Sequence, residues 1–372
     1  MNKSKVLFAN PKAAWQKMEK IFNRAKIKDK IENGDIVAIK MHFGELGNIR
    51  YIHPSFARKV VDLVKEAGGR PFLTDTTTLY RHARHTLLDY LETAAKNGFT
   101  SESMGCPILI ADGLRGTSGQ WVELKNYHKL KRIKVAQAVF ESDFIIALSH
   151  FTLHPGTGIG ASVKNIAMGC TTTETKLAMH SSEAKPRYNE AKCRLCLACV
   201  KVCPSGAFYY RKEEKKIGYV PEKCIGCGEC IAACPSGAIT VPWESVRVLD
   251  QQKGVIDGCA GVLSRFLPDK RFFINIVMDV TPHCDCPSES DLPVVPDLGI
   301  FASHDVIACD KASFDLLTEA VAYPGSEMDK KKKGKGDDKV RAIYPEIDMQ
   351  KYWELCKESG MGNLEYELER VD

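Results

Sequence analysis

The chain has 372 residues, 44% of them hydrophobic and 27% charged, with a formal net charge of +5. This is the composition of a folded globular protein of about two domains. It excludes a disordered chain and is too weakly basic for its length to imply a nucleic-acid partner.

The start, Met1 to Pro11, is basic but has no apolar core or small-residue cleavage site, and no later apolar run approaches the ~18 residues of a membrane helix. A cytoplasmic protein with no membrane insertion is expected. The fifteen cysteines then read as metal ligands in a reducing compartment rather than as a disulfide framework.

In chain order, short apolar runs alternate with amphipathic stretches. Residues 35–41 read as a strand. Residues 55–67 carry Phe56, Val60, Val61 and Val64 at helical spacing before Gly68 and Gly69 stop them. A strand at 71–74, a helix at 86–96, a strand at 107–111, a basic helix near 131–141 and a strand at 144–148 follow. After residue 242 the pattern resumes with a helix from about Ser245 to Leu267, a strand at 271–278, a helix at 306–321 and a final helix and strand. Lys330 to Asp338 reads as a solvated, flexible connection. Strand–helix alternation predicts an α/β domain with a largely parallel sheet flanked by helices. Residues 1–185 and 243–372 form this host, and 186–242 are inserted in one of its loops, where added length costs little closure entropy.

The insert writes one phrase twice: Cys193, Cys196, Cys199 and Cys203-Pro204, then Cys224, Cys227, Cys230 and Cys234-Pro235. Three thiolates two residues apart lie on one tight turn and bind three irons of a cubane. The fourth has entered a helix and serves the other cubane. One 4Fe-4S cluster is therefore assigned to Cys193, Cys196, Cys199 and Cys234, and the second to Cys224, Cys227, Cys230 and Cys203. Zinc also accepts four thiolates, but its sites pair two Cys-x-x-Cys units across a longer spacer. The prolines and the Pro-Ser-Gly-Ala turns lead into strands at Phe208 and Ile239. The repeat is an α+β, ferredoxin-like unit, and its clusters suggest an oxygen-avoiding host.

In a parallel sheet, ligands bind beyond the carboxyl ends of the strands. At such ends this sequence places His42 and Glu45, with His53 downstream; Asp75 and a threonine run to Tyr80; Ser149, His150 and His154; and Asp279, His283, Cys284, Asp285 and Cys286. A polar cleft is expected there, with His42, Glu45, Asp75, His150, Lys164 and Asp279 as candidate catalytic groups. Gly156, Gly158 and Gly160 run into a helix carrying Lys164, a pattern that can cradle an anion. Two thiols one residue apart beside His283 suggest a third site, at Cys284 and Cys286, for a metal or redox ligand. A tight Cys-x-Cys turn is expected to favour metal capture over disulfide formation. Cys106, Cys259, Cys309 and Cys356 sit in apolar or helical settings and read as inert, and Cys170 and His180 flank the path into the insert.

The segments His42 to Glu45, Thr157 to Asn165 through Cys170, Met179-His180, Asp279 to Cys286 and Val295 to Ile300 resemble the iron-sulfur-centre proteins of the domain of unknown function 362 family. The resemblance covers about residues 35–320 and implies the same host-and-insert arrangement, with no established reaction. The expected function is a redox one: two clusters exchange single electrons with a substrate, metal or cofactor in the cleft. With no flavin or nicotinamide fingerprint, the partner is expected to be an electron-carrier protein such as a ferredoxin. The alternative is an electron-transfer subunit docked to a larger redox complex through the basic run Lys129 to Lys134.

Overall fold

The computed structural model describes residues 3–180, 185–243 and 246–371. Eight strands form its main sheet: β1 (Ser4–Ala9), β2 (Ile36–Lys40), β3 (Arg70–Asp75), β4 (Ile108–Ile110), β5 (Phe144–His150), β6 (Arg271–Val277), β7 (Gly299–Ser303) and β8 (Tyr366–Arg370). Their order is β8-β1-β7-β6-β5-β2-β3-β4. The run from β6 to β4 is parallel throughout, and β7 alone is reversed, pairing antiparallel with both β1 and β6. The predicted α/β class, with a mostly parallel sheet between helices, is the observed one.

Both faces of the sheet are covered, which explains why its strands read as apolar runs rather than as alternating ones. Leu7, Val37, Ile39, Leu73, Ile146 and Ile274 face one layer, with α1 (Ala14–Arg24), α2 (Pro54–Glu66) and α3 (Leu87–Lys96). Their neighbours Phe8, Ala38, Phe72, Ile145 and Phe273 face the other. That second layer holds α4 (Ser162–Gly169), α5 (Thr173–His180), α6 (Val248–Leu263) and α7 (Val306–Glu319). The first residue of the helix expected from Ser245 lies outside the described residues. The helix observed there is α6.

Two local expectations are corrected. The basic helix near 131–141 is instead a strand, Arg132–Ala136, paired with Gly119–Glu123 and followed by one helical turn, Gln137–Phe140. The reason is a period of two: Ile133 and Val135 are buried, while Arg132 and Lys134 face Trp121, the Arg132 guanidinium lying 4.2 Å from the ring centre. Upstream, the buried carboxylate of Asp257 accepts the backbone N–H groups of His128, Lys129 and Leu130 at 2.7–2.8 Å, so this basic run is tied to α6. The lysine run after Glu327 is a defined turn rather than a loose tether. Gly334 N–H donates to Asp337, and Lys339, 1% exposed, donates to the carbonyls of Thr318 and Gly334.

Residues 185–243 add no strand to the main sheet. Arg187–Tyr188 pairs with Ile239–Thr240, and Phe208–Arg211 pairs with Lys216–Tyr219. Two short helices, Ala198–Val202 and Glu229–Ala233, complete the double repeat. The equivalence extends to the backbone: Leu195 and Leu197 adopt left-handed φ values of 55° and 60°, where the second repeat has Gly226 and Gly228 at 74° and 72°. Among the described residues, no helix is long and apolar enough to cross a membrane.

Candidate functional site

Because β6, β5, β2 and β3 are adjacent and parallel, the segments that follow them converge at one edge of the sheet. They enclose a cavity of about 950 Å³ with His42, Asp75, His150, Lys164, Cys284 and Cys286 in its wall. Asp279 does not belong to it. Its backbone φ of 52° turns the chain outward, and its half-exposed carboxylate pairs with Arg50. Glu45 is buried behind the wall, where its carboxylate meets Arg84 Nε at 2.8 Å. It acts on the cavity through Arg84, which donates to Tyr80 Oη at 2.9 Å and to the Cys286 carbonyl at 3.3 Å.

Three further charges are compensated inside the wall. Lys40, 1% exposed, lies 3.1 Å from Asp75 and 2.5 Å from Asn165 Oδ1. Burial by itself would raise Asp75, but Lys40, His42, the Tyr90 hydroxyl and Arg84 outweigh it and hold the carboxyl below the usual range. Lys176 sits 3.2 Å from Asp112 and donates to the Thr77 carbonyl at 2.7 Å. His150 is buried, which lowers its basicity, yet Asp285 at 2.7 Å reverses this and raises it.

Lys164 faces a different kind of counter-charge. Burial disfavours its ammonium, but the sulfurs of Cys284 and Cys286 together with Asp285 prevail and raise it. The thiol of Cys284 donates to the sulfur of Cys286, which, with Lys164 and His42, overcomes burial and holds Cys286 well below an ordinary thiol. His42 Nδ1 accepts the Gly44 N–H at 2.9 Å, so its Nε2 carries the proton and points at Cys286 Sγ, 3.8 Å away. His283, by contrast, gives its Nδ1 to Tyr344 Oη at 2.8 Å, since that hydroxyl is itself spent on the Pro282 carbonyl. Among the described residues, no three His, Cys, Asp or Glu side chains are grouped to hold a single metal ion.

The expected anion cradle is differently built. The first amides of α4, at Ser162 and Val163, donate to the Asp310 carboxylate at 3.0 and 2.9 Å, so the helix N-terminus already holds an internal anion. Gly158–Gly160 is a short strand paired with Thr152–His154. Gly156 and Gly160 line the cavity, whereas Gly158 packs against Met349.

The sequence reading did not assign Lys40, Arg84, Lys176 or Asn165 to the site. Lys40 left a trace, a lysine closing an otherwise apolar buried strand. Arg84 left none, because its partner is 39 residues away. His154 and His180 also face the cavity, both held neutral chiefly by burial, His180 with its basicity lowered to about 4.

Beside this cleft, the eight repeat cysteines fall into two neighbourhoods. Cys193, Cys196, Cys199 and Cys234 line one small cavity, so the last cysteine of the second repeat joins the first three of the first. Cys203 in turn acts electrostatically on Cys230 and Cys227 of the second repeat and on Tyr219 beside Cys224. Desolvation and neighbouring sulfurs push Cys199 up to about 11. In Cys203 and Cys234 burial is outweighed by amide N–H groups and a serine hydroxyl, which lower the thiols. The hydroxyls of Tyr188 and Tyr219 are buried beside Cys193 and Cys224, and neither closes a hydrogen bond at good geometry. Crowded sulfurs in an apolar pocket, with amide donors and orphan hydroxyls aimed at them, fit a group that brings positive charge and sulfur acceptors together. A cubane is bound by one sulfur per iron, so its ligands surround it and need not meet at a single point.

The two regions are in contact. Leu79, in the cavity wall, packs in one apolar cluster with Cys199, Cys230 and Cys234. Arg81 donates to the Cys234 carbonyl at 3.2 Å, and the His85 ring bonds the Ala232 carbonyl at 3.1 Å.

These features define an α/β protein with a polar cleft at the carboxyl edge of its sheet and a cysteine-rich double repeat against that cleft. The chain belongs to the family described as Domain of unknown function (DUF362), whose model matches residues 37–315. No curated protein gives a significant match. Among solved structures it is similar to a structural-genomics protein from Thermotoga maritima, with 12% identity and a TM-score of 0.45 over 81% of this chain and 58% of that one. It is also similar to the lactate racemase apoprotein from Thermoanaerobacterium thermosaccharolyticum, with 14% identity and a TM-score of 0.40 over 86% of this chain and 59% of that one. The chain thus spans less than two thirds of the length of either.

Proposed function

We propose that this is an iron–sulfur redox protein in which two 4Fe-4S clusters exchange single electrons with a substrate, metal or cofactor held in the polar cleft. Residues 186–242 are then a ferredoxin-like insert in the α/β host formed by 1–185 and 243–372. Cys193, Cys196, Cys199 and Cys234 would hold one cluster, and Cys224, Cys227, Cys230 and Cys203 the other. The clusters supply one-electron transfer at low potential.

The observation that carries this reading is that Cys234, the last cysteine of the second repeat, lines one small cavity with Cys193, Cys196 and Cys199 of the first, as the crossed ligation of two-cluster ferredoxins requires. The contact of Leu79, Arg81 and His85 with the cysteine helix supports a working connection to the cleft, which a passive carrier does not need. Within the cleft, Lys40 and Lys176 are neutralised by Asp75 and Asp112, while His150 is poised by Asp285 to hold a proton. The external partner is proposed to be an electron-carrier protein, and the compartment the cytoplasm.

The test is metal and labile-sulfide analysis of anaerobically purified protein, followed by electron paramagnetic resonance after reduction. About eight irons and eight sulfides per chain, with two interacting signals, are expected. Zinc in place of iron, or iron without sulfide, overturns the reading.

A further inference from the structure

Cys284 and Cys286 differ from every other cysteine outside the repeats. Cys106, Cys170, Cys259, Cys309 and Cys356 are buried in apolar packing, and these two are half-buried in the wall of the cavity. Lys164 shares that wall, and the Nε2–H of His42 faces Cys286 at 3.8 Å. With His283 engaged by Tyr344, no third ligand among the described residues is grouped with the pair for a single ion. Two thiols one residue apart in one cavity wall, with a lysine in the same wall and an imidazole N–H on one of them, are instead the parts of a thiol–disulfide couple. Cysteines two apart on a turn can come within the ~4.4–6.8 Å Cα separation that a disulfide spans. The small ring is strained, and strained, accessible disulfides are the readily reduced, catalytic kind.

We propose that Cys284 and Cys286 form a dithiol–disulfide couple that reduces a small organic disulfide bound in the cleft. This departs from the metal capture expected from the sequence. The Cys286 thiolate attacks one sulfur of the substrate disulfide, whose S–S bond breaks and whose other sulfur leaves as a thiolate. Cys284 then attacks Cys286 in the mixed disulfide. The second substrate sulfur departs with the proton that Cys284 gives up, and a Cys284–Cys286 bond remains. Two electrons and one proton restore the thiol and the thiolate, and low-potential one-electron iron–sulfur donors supply the two electrons in turn. Lys164 and His42 hold the thiolate state of Cys286 before attack and after reduction. A cavity of about 950 Å³ matches a small molecule rather than a folded protein. The regeneration step rests on the cluster reading above, whereas the exchange step does not.

The segment between the two regions suits this use. Arg84 bonds the Cys286 carbonyl, and Arg81 and His85, one to three residues away, bond the chain carrying Cys234. One short piece of backbone thus touches both the thiol pair and the cysteine helix.

The experiment uses the anaerobic, iron-loaded full chain and dithio-bis-nitrobenzoate as the probe disulfide. After one equivalent of probe, alkylation and peptide mass analysis should find residues 284 and 286 joined to each other and two equivalents of aryl thiol released. In Cys284→Ser, one equivalent should be released, with the aryl group trapped on Cys286. In Cys286→Ser, the fast phase should fall at least tenfold. Dithionite-reduced protein should regain both alkylatable thiols. If the peptide never carries an internal disulfide, or if both thiols are shielded from alkylation by a bound metal that the double serine variant loses, the couple does not exist. Iron is counted in the same samples. Disulfide formation without iron–sulfur clusters sinks the cluster reading and leaves the exchange standing, and clusters without disulfide formation do the reverse.

Discussion

Replacing Glu45 by Ala removes the carboxylate that neutralises Arg84 at a place where both side chains are nearly inaccessible, 2% and 3% exposed. The remaining guanidinium keeps Tyr80 Oη and the Cys286 carbonyl as partners but loses its charge partner, and the Ala83 amide loses an acceptor at 3.1 Å. Stranding one member of a buried pair costs about 3–5 kcal/mol. The double replacement Glu45→Leu with Arg84→Met strands no charge and should recover most of that loss, because desolvation nearly cancels the attraction in such pairs. Urea titration of anaerobic protein, followed by tryptophan fluorescence, reads both. A midpoint lowered at constant slope in the single variant, and restored in the double, is expected. A single-variant loss below about 1 kcal/mol, or a double variant as unstable as the single, would refute the assignment of Glu45 to charge compensation.

Gly169→Ala should disturb the cleft floor, since a Cβ there falls on Lys40 Cε and Nζ, and Lys40 is too buried to swing away. A loss of about 1–3 kcal/mol is expected, and a crystal structure with Lys40 still on Asp75 would contradict it. Acid should weaken the fold through His180, whose folded value of about 4 lies below its ordinary 6.5. The stability it confers is present above 6.5 and lost as the pH falls toward 4, up to about 3 kcal/mol. His180→Gln should flatten that part of the pH–stability curve, and an unchanged slope would show that another group titrates. Leu195→Gly should be neutral or stabilise by about 1 kcal/mol in thermal melts, because Leu195 holds a left-handed φ of 55° while 43% exposed. A clear loss of stability would mean that its side chain packs in use.

The parallel half of the sheet was legible because each strand there is an apolar run closed by a polar residue, as in Phe144–His150, and the helices between them carry unbroken spacing, as in Pro54–Glu66. Convergence of His42, Asp75, His150 and Cys286 follows from strand direction alone. Asp279 was misplaced because one left-handed residue just past β6 turns its side chain outward, a backbone choice that no side-chain pattern announces. The glycine turn misled for a related reason: the anion at the α4 N-terminus is Asp310, 148 residues away from Ser162. The Arg132–Ala136 strand was hidden because Lys131, Arg132 and Lys134 read as part of a basic helix, when the alternation of Ile133 and Val135 was the better guide.

Cys203→Ala tests the central claim most directly, because Cys203 belongs to the first repeat in sequence yet acts electrostatically on Cys230 and Cys227 of the second. Iron analysis and Mössbauer spectroscopy of the anaerobic variant, set against Cys234→Ala, should show each change damaging the cluster centred on the opposite repeat. Cys203→Ala should leave intact the signals that Cys193→Ala removes. If instead Cys203→Ala and Cys193→Ala strip the same cluster, or neither variant alters the iron bound, the crossed pair of cubanes is not what this chain builds.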